Sequence, residues 1–514
     1  MGRSQGDPQA NRSPQRRQRP IHRRSSARSP GTPFHDGPPN IRPCGSKGLA
    51  GPQGLRPQHG GVTMAGLNAA LEIGKNALLN AQVQIQTTSH NVANAENPNY
   101  SRQKAPTVTQ GAILGRAGWI GAGARLDRIV QQRDTFLEGR YLEASSQSAY
   151  YGTLERILTA AETSLSDNGD TGLYAALKDF WNAWNALAQN PEGAVEKAVV
   201  VECGRTLCTG LNQTAAQLTQ HREGIVTELE DNVSAVNGLL QKIRDLNQQI
   251  QRSETPSFMA NDLRDQRFQA LHELSQYVRF TTQEGTGGTL NVFLEDGTPL
   301  VLFSEYAAEL KITGDVNALT IQISDSDQIV AQFDAAAADK VSENLHGSTG
   351  ALLTALGTVQ SWHDSLDTFA STLVTRFEEL YEDLEIPGAF FDPEAPTAAA
   401  IRLTDDPLSS PSNALARAAL SLESEPMEPL GNLSPGQYLT QLSQDVGLSV
   451  QSASTQHLLQ DSLAQQLDAQ RQSVSGVSLD EEMVELIKHQ QLYQAAAKLI
   501  QQTAEMIQTA INMV

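Results

Sequence analysis

Aromatic residues make up only 5% of this 514-residue chain, which holds three cysteines and four tryptophans. So few large side chains fit an extended helical assembly, rich in Ala, Gln, Asn, Ser and Thr, better than a compact enzyme core. Cysteine scarcity removes a disulfide framework. Cys44 lies in an atypical leader, and Cys203 and Cys208 stand five apart on a helical stretch. That is roughly 140° around the axis, so they read as buried thiols rather than a bridge. No apolar run approaches the roughly 20 residues of a membrane span, and no cleavable signal with an apolar centre is visible. Membrane insertion is therefore not expected.

Catalytic signatures are missing as well. There is no HExxH, no nucleophile elbow, no Cys/His cluster and no phosphate loop. Gly285, Gly287 and Gly288 read as turn residues because no Gly-Lys-Ser/Thr follows. His90 and His363 are solitary. Asp262 and Asp265, with Arg264 and Arg267, read as a solvated or ion-paired helix face. The expectation is no enzyme, with no catalytic, cofactor or metal residue.

Charge is divided along the chain. Residues 1–63 carry 10 of the 23 prolines and 11 Lys/Arg against two Asp, a formal +9. Such a Pro/Arg/Gly/Ser mixture predicts a disordered basic extension, read as absent from the mature protein with translation starting at Met64. A nucleic-acid-binding arm through Arg16-Arg17 and Arg23-Arg24, or a transit peptide, are the other readings. The remaining 27 basic and 56 acidic residues give −29, which argues against nucleic acid and anionic membranes as partners.

What the chain does have is periodicity at both ends. Leu479, Met483, Leu486, Gln490, Tyr493, Ala497, Ile500, Ala504, Ile507, Ile511 and Val514 follow the four-three spacing of a coiled-coil seam. Ser478 is the expected cap, and Asp480, Glu481 and Glu482 suit the positive end of the helix dipole. Near the other end, Leu67, Leu71, Gly74, Leu78, Ala81, Ile85, Thr88 and Val92 repeat the pattern. An amphipathic helix cannot bury its stripe alone, so the two seams are expected to come together.

Between them the chain reads as helix, strand, then helix. Four-three spacing runs from Leu137 to Ala161 and breaks at Asp167-Asn168-Gly169-Asp170. A second helix carries Trp181 and Trp184 on one face, read as core. A very long helix spans Glu192 to Arg252, with Asn247 on its seam as a register-setting residue. Period-two alternation after Tyr277 marks a hairpin (Thr289–Leu294 with Leu300–Phe303) and further strands at Glu309–Thr313 and Leu319–Ile323. Helix returns at 350–383 and 436–472. The predicted class is mainly α: long coiled-coil-like N- and C-terminal helices paired as a stalk, an elongated helical-bundle domain, and a small inserted β domain. The expected division is 1–63 extension, 64–100 N-terminal assembly helix, 101–277 and 336–475 helical domain, 278–335 β domain, and 476–514 C-terminal assembly helix.

The first helix must stop at Ser89-His90-Asn91-Val92-Ala93-Asn94-Ala95-Glu96-Asn97-Pro98-Asn99-Tyr100-Ser101-Arg102, because Asn97 precedes proline. This run, through Ser89, Asn91, Asn94, Asn97, Pro98, Tyr100, Ser101 and Arg102, resembles the signature of the axial proteins of the bacterial flagellum (rod, hook and hook-associated proteins). Asn99 stands where that signature has glycine, and a left-handed Asn99 is the expected compensation. Val474-Ser475-Gly476-Val477-Ser478-Leu479-Asp480-Glu481-Glu482-Met483 and Asn261-Asp262-Leu263-Arg264-Asp265-Gln266-Arg267 are similar to further blocks of its hook-associated branch, and the resemblance covers Met64 to Val514. It implies a secreted structural component that polymerises at the distal hook end as an adaptor between hook and filament. It also implies as partners further copies of itself, the hook protein, the next junction protein, the flagellar secretion apparatus and a cytoplasmic export chaperone. The chaperone would grip the C-terminal helix at Leu486, Ile487, Tyr493 and Ile500. Another axial protein of hook or filament type, a cell-wall hydrolase carried on the flagellum, and an intracellular coiled-coil scaffold are the alternatives.

Overall fold

The computed structural model describes residues 61–115, 118–165, 172–314, 319–325, 328–334, 345–408 and 412–513. The basic extension up to residue 60, with Cys44, lies outside them, as do the break at Asp167–Asp170 and Val514. The fold is mainly α. Helix α1 (Gly61–Ala93) starts three residues ahead of Met64 and ends where the Asn97-Pro98 turn begins. Six short strands follow: β1 (Gln103–Lys104), β2 (Thr107–Thr109), β3 (Ile113–Gly115), β4 (Gly118–Ile120), β5 (Ala124–Leu126) and β6 (Val130–Gln131). They pair β3 with β4, β2 with β5 and β1 with β6, the nested rungs of one antiparallel ribbon. The ribbon is fastened to α1 by Asn80, whose Nδ2 donates to the Ala124 carbonyl at 2.9 Å and whose Oδ1 accepts from the Leu126 N–H at 3.0 Å.

The helical body comprises α2 (Thr135–Leu165), α3 (Leu173–Gln189), α4 (Ala194–Ser253), α5 (Asn261–Tyr277), α6 (Gly347–Asp383), α7 (Asn413–Ser421) and α8 (Pro435–Ser475). Its core is built on one stripe of each helix. Trp181 and Trp184 are core residues, as expected, packed with Phe180 of α3, Phe377 of α6, and Phe390 and Phe391 of the following loop. Helix α8 runs antiparallel to α2, since His457 meets Glu155 and Asp461 meets Ser148. Cys208 is buried and its thiol is pushed up to about 12 by desolvation, while Cys203 is half-buried, and both are free.

Strands β7 (Thr281–Glu284), β8 (Leu290–Phe293), β9 (Pro299–Leu302) and β10 (Tyr306–Ala307) form one antiparallel sheet. Strands β11 (Glu309–Thr313), β12 (Thr320–Asp325) and β13 (Gln328–Asp334) form another. Both dock on α4 through asparagines. Asn237 exchanges two bonds with the Leu310 backbone, at 2.9 and 2.8 Å. Asn247 is fully buried, but it sets no helix register: it donates to the Leu290 and Phe303 carbonyls and accepts from Arg267 Nη1. A seam asparagine facing strands must satisfy backbone groups, which a neighbouring helix would not offer.

The last helix, α9 (Leu479–Asn512), returns along α1 in antiparallel sense, with Ile500 beside Gly74 and Glu482 beside Asn91. At Gly74 an added Cβ would stand 3.0 Å from Ile500 Cγ1, so the two backbones approach closely only because the side chain is absent. Gly476 is required at the turn between α8 and α9, where a Cβ would fall 2.3 Å from the Gln472 carbonyl oxygen.

Candidate functional site: where the two chain ends meet

The three sequence blocks lie far apart in the chain and come together in one buried polar knot. Asn91, 2% exposed, is its centre. Its Oδ1 accepts from the Tyr100 hydroxyl at 2.7 Å and from the Gln103 N–H at 3.0 Å. Its Nδ2 donates to the Gln103 carbonyl and to Glu482 Oε2, both at 2.9 Å. The first helix, the strand after it and the last helix are thus joined by one amide. Arg102 adds the charge: Nη1 donates to Glu481 Oε2 at 2.6 Å, and Nε stands 2.6 Å from Glu482 Oε1. The Nε contact is short but poorly aligned, an ion pair rather than a hydrogen bond. The Arg102 N–H donates to the Ser475 carbonyl at 2.8 Å, and Arg471 Nη2 to the Pro98 carbonyl at 3.0 Å, so the end of α8 is also tied in.

The block that opens α5 supplies the other half. Gln103 Nε2 donates to Asp262 Oδ1 at 3.0 Å, and His90 Nε2 stands 3.3 Å from the same oxygen. The Ser101 N–H donates to Asp265 Oδ2 at 3.3 Å. The expected solvated or ion-paired face therefore holds for Asp262 and for Arg264, which pairs with Glu254, and fails for Asp265 and Arg267, both buried. Tertiary packing of the motif strand on α5 turns those two inward. Among the described residues no group of three His, Cys, Asp or Glu is placed to hold a metal.

Burial pushes the Asp265 carboxyl up from 3.8 to about 6, an effect only partly offset by its contacts with Ser101 and by Arg133 Nη1 at 4.0 Å. Folding thus makes this group hold its proton more tightly. Its contribution to stability is full below about pH 4 and is lost as the pH rises through about 6. The expected size is up to about 3 kcal/mol. Asp265→Asn should flatten that loss, which denaturant unfolding of both proteins at pH 4 and pH 7 measures.

Two local expectations are corrected here. Asn99 does not take a left-handed conformation; among the described non-glycine residues positive φ falls at Phe303, His346, Glu385 and Asn432. Asn97 makes the turn instead, its Oδ1 accepting from the Asn99 N–H at 3.1 Å. Ser478 stands at the cap position of α9 without a side-chain capping bond. In the motif, Asn91, Tyr100 and Ser101 are buried, Arg102 and Asn94 are half-buried, and Ser89, Asn97 and Pro98 are exposed at the rim.

On α1 the seam positions Gly74, Ala81 and Thr88 are buried, and Leu67, Leu71, Leu78, Ile85 and Val92 are half-buried. On α9, Leu486, Ile500 and Ile507 are half-buried, whereas Leu479, Met483, Tyr493 and Ile511 are exposed. The fully buried residues are Glu482, Ala496 and Thr503, one position before Met483, Ala497 and Ala504. The helix is turned by one residue because Asn91 and Arg102 draw Glu482 inside, and small residues at 496 and 503 allow close approach. Of the four expected chaperone anchors, Leu486 and Ile500 lie toward α1, while Ile487 and Tyr493 are exposed. Among the described residues, none of α1 or α9 belongs to the main core cluster. A second apolar flank, Leu492, Leu499 and Met506 on α9 with Met513 just after it, recurs every seven residues and is exposed.

Comparison with known proteins gives the following matches. The family described as flagellar hook-associated protein FlgK helical domain matches residues 158–383, and the flagellar basal body rod FlgEFG protein C-terminal family matches residues 468–513. Flagellar hook-associated protein 1 of Bacillus subtilis (strain 168) is 26% identical over 501 residues, covering 86% of this chain and 97% of that protein. The proteins of that name from Salmonella typhimurium and Escherichia coli K12 are both 27% identical. Each of those matches covers 46% of this chain and less than half of the relative, 41% and 42%. A solved structure titled the flagellar hook junction protein FlgK from Burkholderia pseudomallei aligns over 49% of this chain and 46% of that one, with 21% identity and a TM-score of 0.43. Residues 158–383 match the helical domain of the flagellar hook-associated protein FlgK family, and the chain is similar to flagellar hook-associated protein 1 along most of its length.

Proposed function

We propose that this chain is a secreted structural part of the flagellum that polymerises at the distal hook end and adapts hook to filament. The observation that carries this reading is the clasped pair of end helices, which contributes nothing to the main core and leaves the Leu492–Met513 flank uncovered. The flank left outside that pair would gain cover from neighbouring copies, so ordering and assembly are coupled. Hook protein and the next junction protein would meet it at either end of the stack, and the flagellar secretion apparatus would deliver it. Its work is positional, without catalysis, which an assay on peptidoglycan checks. Antibody labelling of sheared flagella tests the function: a signal confined to the hook–filament boundary is expected, and a wholly cell-associated signal would overturn it.

An export chaperone that grips Leu486, Ile487, Tyr493 and Ile500 would have to reach α9 before α1 does, because Leu486 and Ile500 are partly covered in the pair. Tyr493→Asp places a charge in that groove contact and should cut chaperone capture in a pull-down at least tenfold. Unchanged capture would remove Tyr493 from the anchors.

A further inference from the structure

A cavity of about 710 Å³ opens where the start of α2, helix α5 and strands β7 and β8 meet. Four guanidinium groups line it, Arg128, Arg133, Arg264 and Arg267, against two carboxylates, Glu138 and Glu284. This is a positive cavity in a chain whose formal charge is −20. Arg133 is taken by Glu138 at 2.6 and 2.9 Å, and Arg264 by Glu254 at the same distances. Arg267 has no such counter-ion. It is 5% exposed, its Nη1 donates to Asn247 Oδ1 and to the Gly288 carbonyl at 2.8 Å, and among the described residues no carboxylate oxygen lies within 4.0 Å of it. Burial, with Arg264 and Arg133 alongside, pulls its pKa down to about 10, so it remains a cation at neutral pH. A buried cation whose direct acceptors are neutral, with Glu254 and Glu284 acting on it only from beyond 4.0 Å, carries a desolvation cost that is only partly compensated. The rest of the wall includes the apolar Leu142, Phe268 and Leu271.

We propose that this cavity binds a small organic anion, a monocarboxylate with an apolar body, whose head pairs with Arg267. A planar carboxylate matches the guanidinium fork, and its hydrocarbon part would lie against Leu142 and Phe268. A free aliphatic acid and the carboxylate end of a polypeptide share this chemistry. Titrating the full chain calorimetrically with hexanoate, N-acetyl-leucine and the neutral hexanamide tests it. Saturable one-site binding of at least one acid is expected, with none of hexanamide, and Arg267→Gln should weaken it at least tenfold. Because Arg267 also holds Asn247 and the Gly288 carbonyl, a second variant is needed. Gly139 lines the cavity and a Cβ added there meets nothing within 4 Å, so Gly139→Leu fills the space without disturbing α2. It should abolish binding without lowering the melting temperature, since leucine is the better helix former. Tighter hexanoate points to a free acid and tighter N-acetyl-leucine to a chain terminus, and both support the site. Absence of saturable binding by either acid, equal binding of hexanamide, or wild-type affinity in Gly139→Leu would overturn it.

Discussion

Deleting Ser478–Val514 should give a chain that folds and stays soluble but is undetectable in flagella. The physical reason lies in where α9 makes its contacts. None of its residues enters the core that unites α2 to α8 with the strands, so removing it opens no cavity there. What it uncovers is local: Gly74, Ala81 and Thr88 lose their neighbour, and Asn91 Nδ2 and Arg102 lose Glu482 and Glu481. The melting temperature of the body should therefore move by no more than a few degrees, on the scale of losing peripheral contacts. Incorporation should vanish, because the lost segment carries the surface offered to neighbours. Normal incorporation of the truncated chain would defeat the assembly reading.

Asn91→Ala is the single substitution with the largest expected effect. It strips a donor from the Glu482 carboxylate, the acceptor from the Tyr100 hydroxyl and both partners from the Gln103 backbone, all buried. Leaving several buried polar groups unpaired, one of them charged, costs about 3–5 kcal/mol. The loss falls on the clasp between α1 and α9 rather than on the body, so protease sensitivity should rise within these two helices first. Asn91→Asp tests the same point differently: it keeps the acceptor but sets a second carboxylate against Glu482, and should fail as well. A substituted chain with wild-type protease resistance in both end helices would show that the knot does not hold them.

The long helices and the hairpins of the inserted sheets were readable from periodicity and spacing, and the three blocks from their resemblance to the axial-protein signature. Their convergence was not, because Asn91, Asp265 and Glu482 are polar and a hydrophobic pattern assigns polar residues to the solvent side. The same blindness put the α9 seam one residue off: apolar spacing favours Met483, whereas the structure buries its neighbour Glu482 with a cation and an amide. Asn237 was hidden for that reason too, whereas Asn247 was placed on the buried seam but with a helix in place of strands as its partner. Helix α7 escaped for want of length, although a signal existed in Ser412, whose hydroxyl accepts from the Leu415 N–H at 3.0 Å as a cap. Asn99 went astray through analogy with glycine, when the Asn97 side chain was enough to make the turn.

Amide exchange, followed peptide by peptide in the isolated chain and again in assembled hook–filament junctions, measures the central claim most directly. Free, α1 and α9 should exchange orders of magnitude faster than the buried stretch of α4 between Leu207 and Ile250, and they should slow to comparable rates once neighbours are in place. End helices already as protected as α4 in the lone molecule, with no change on assembly, would contradict the account.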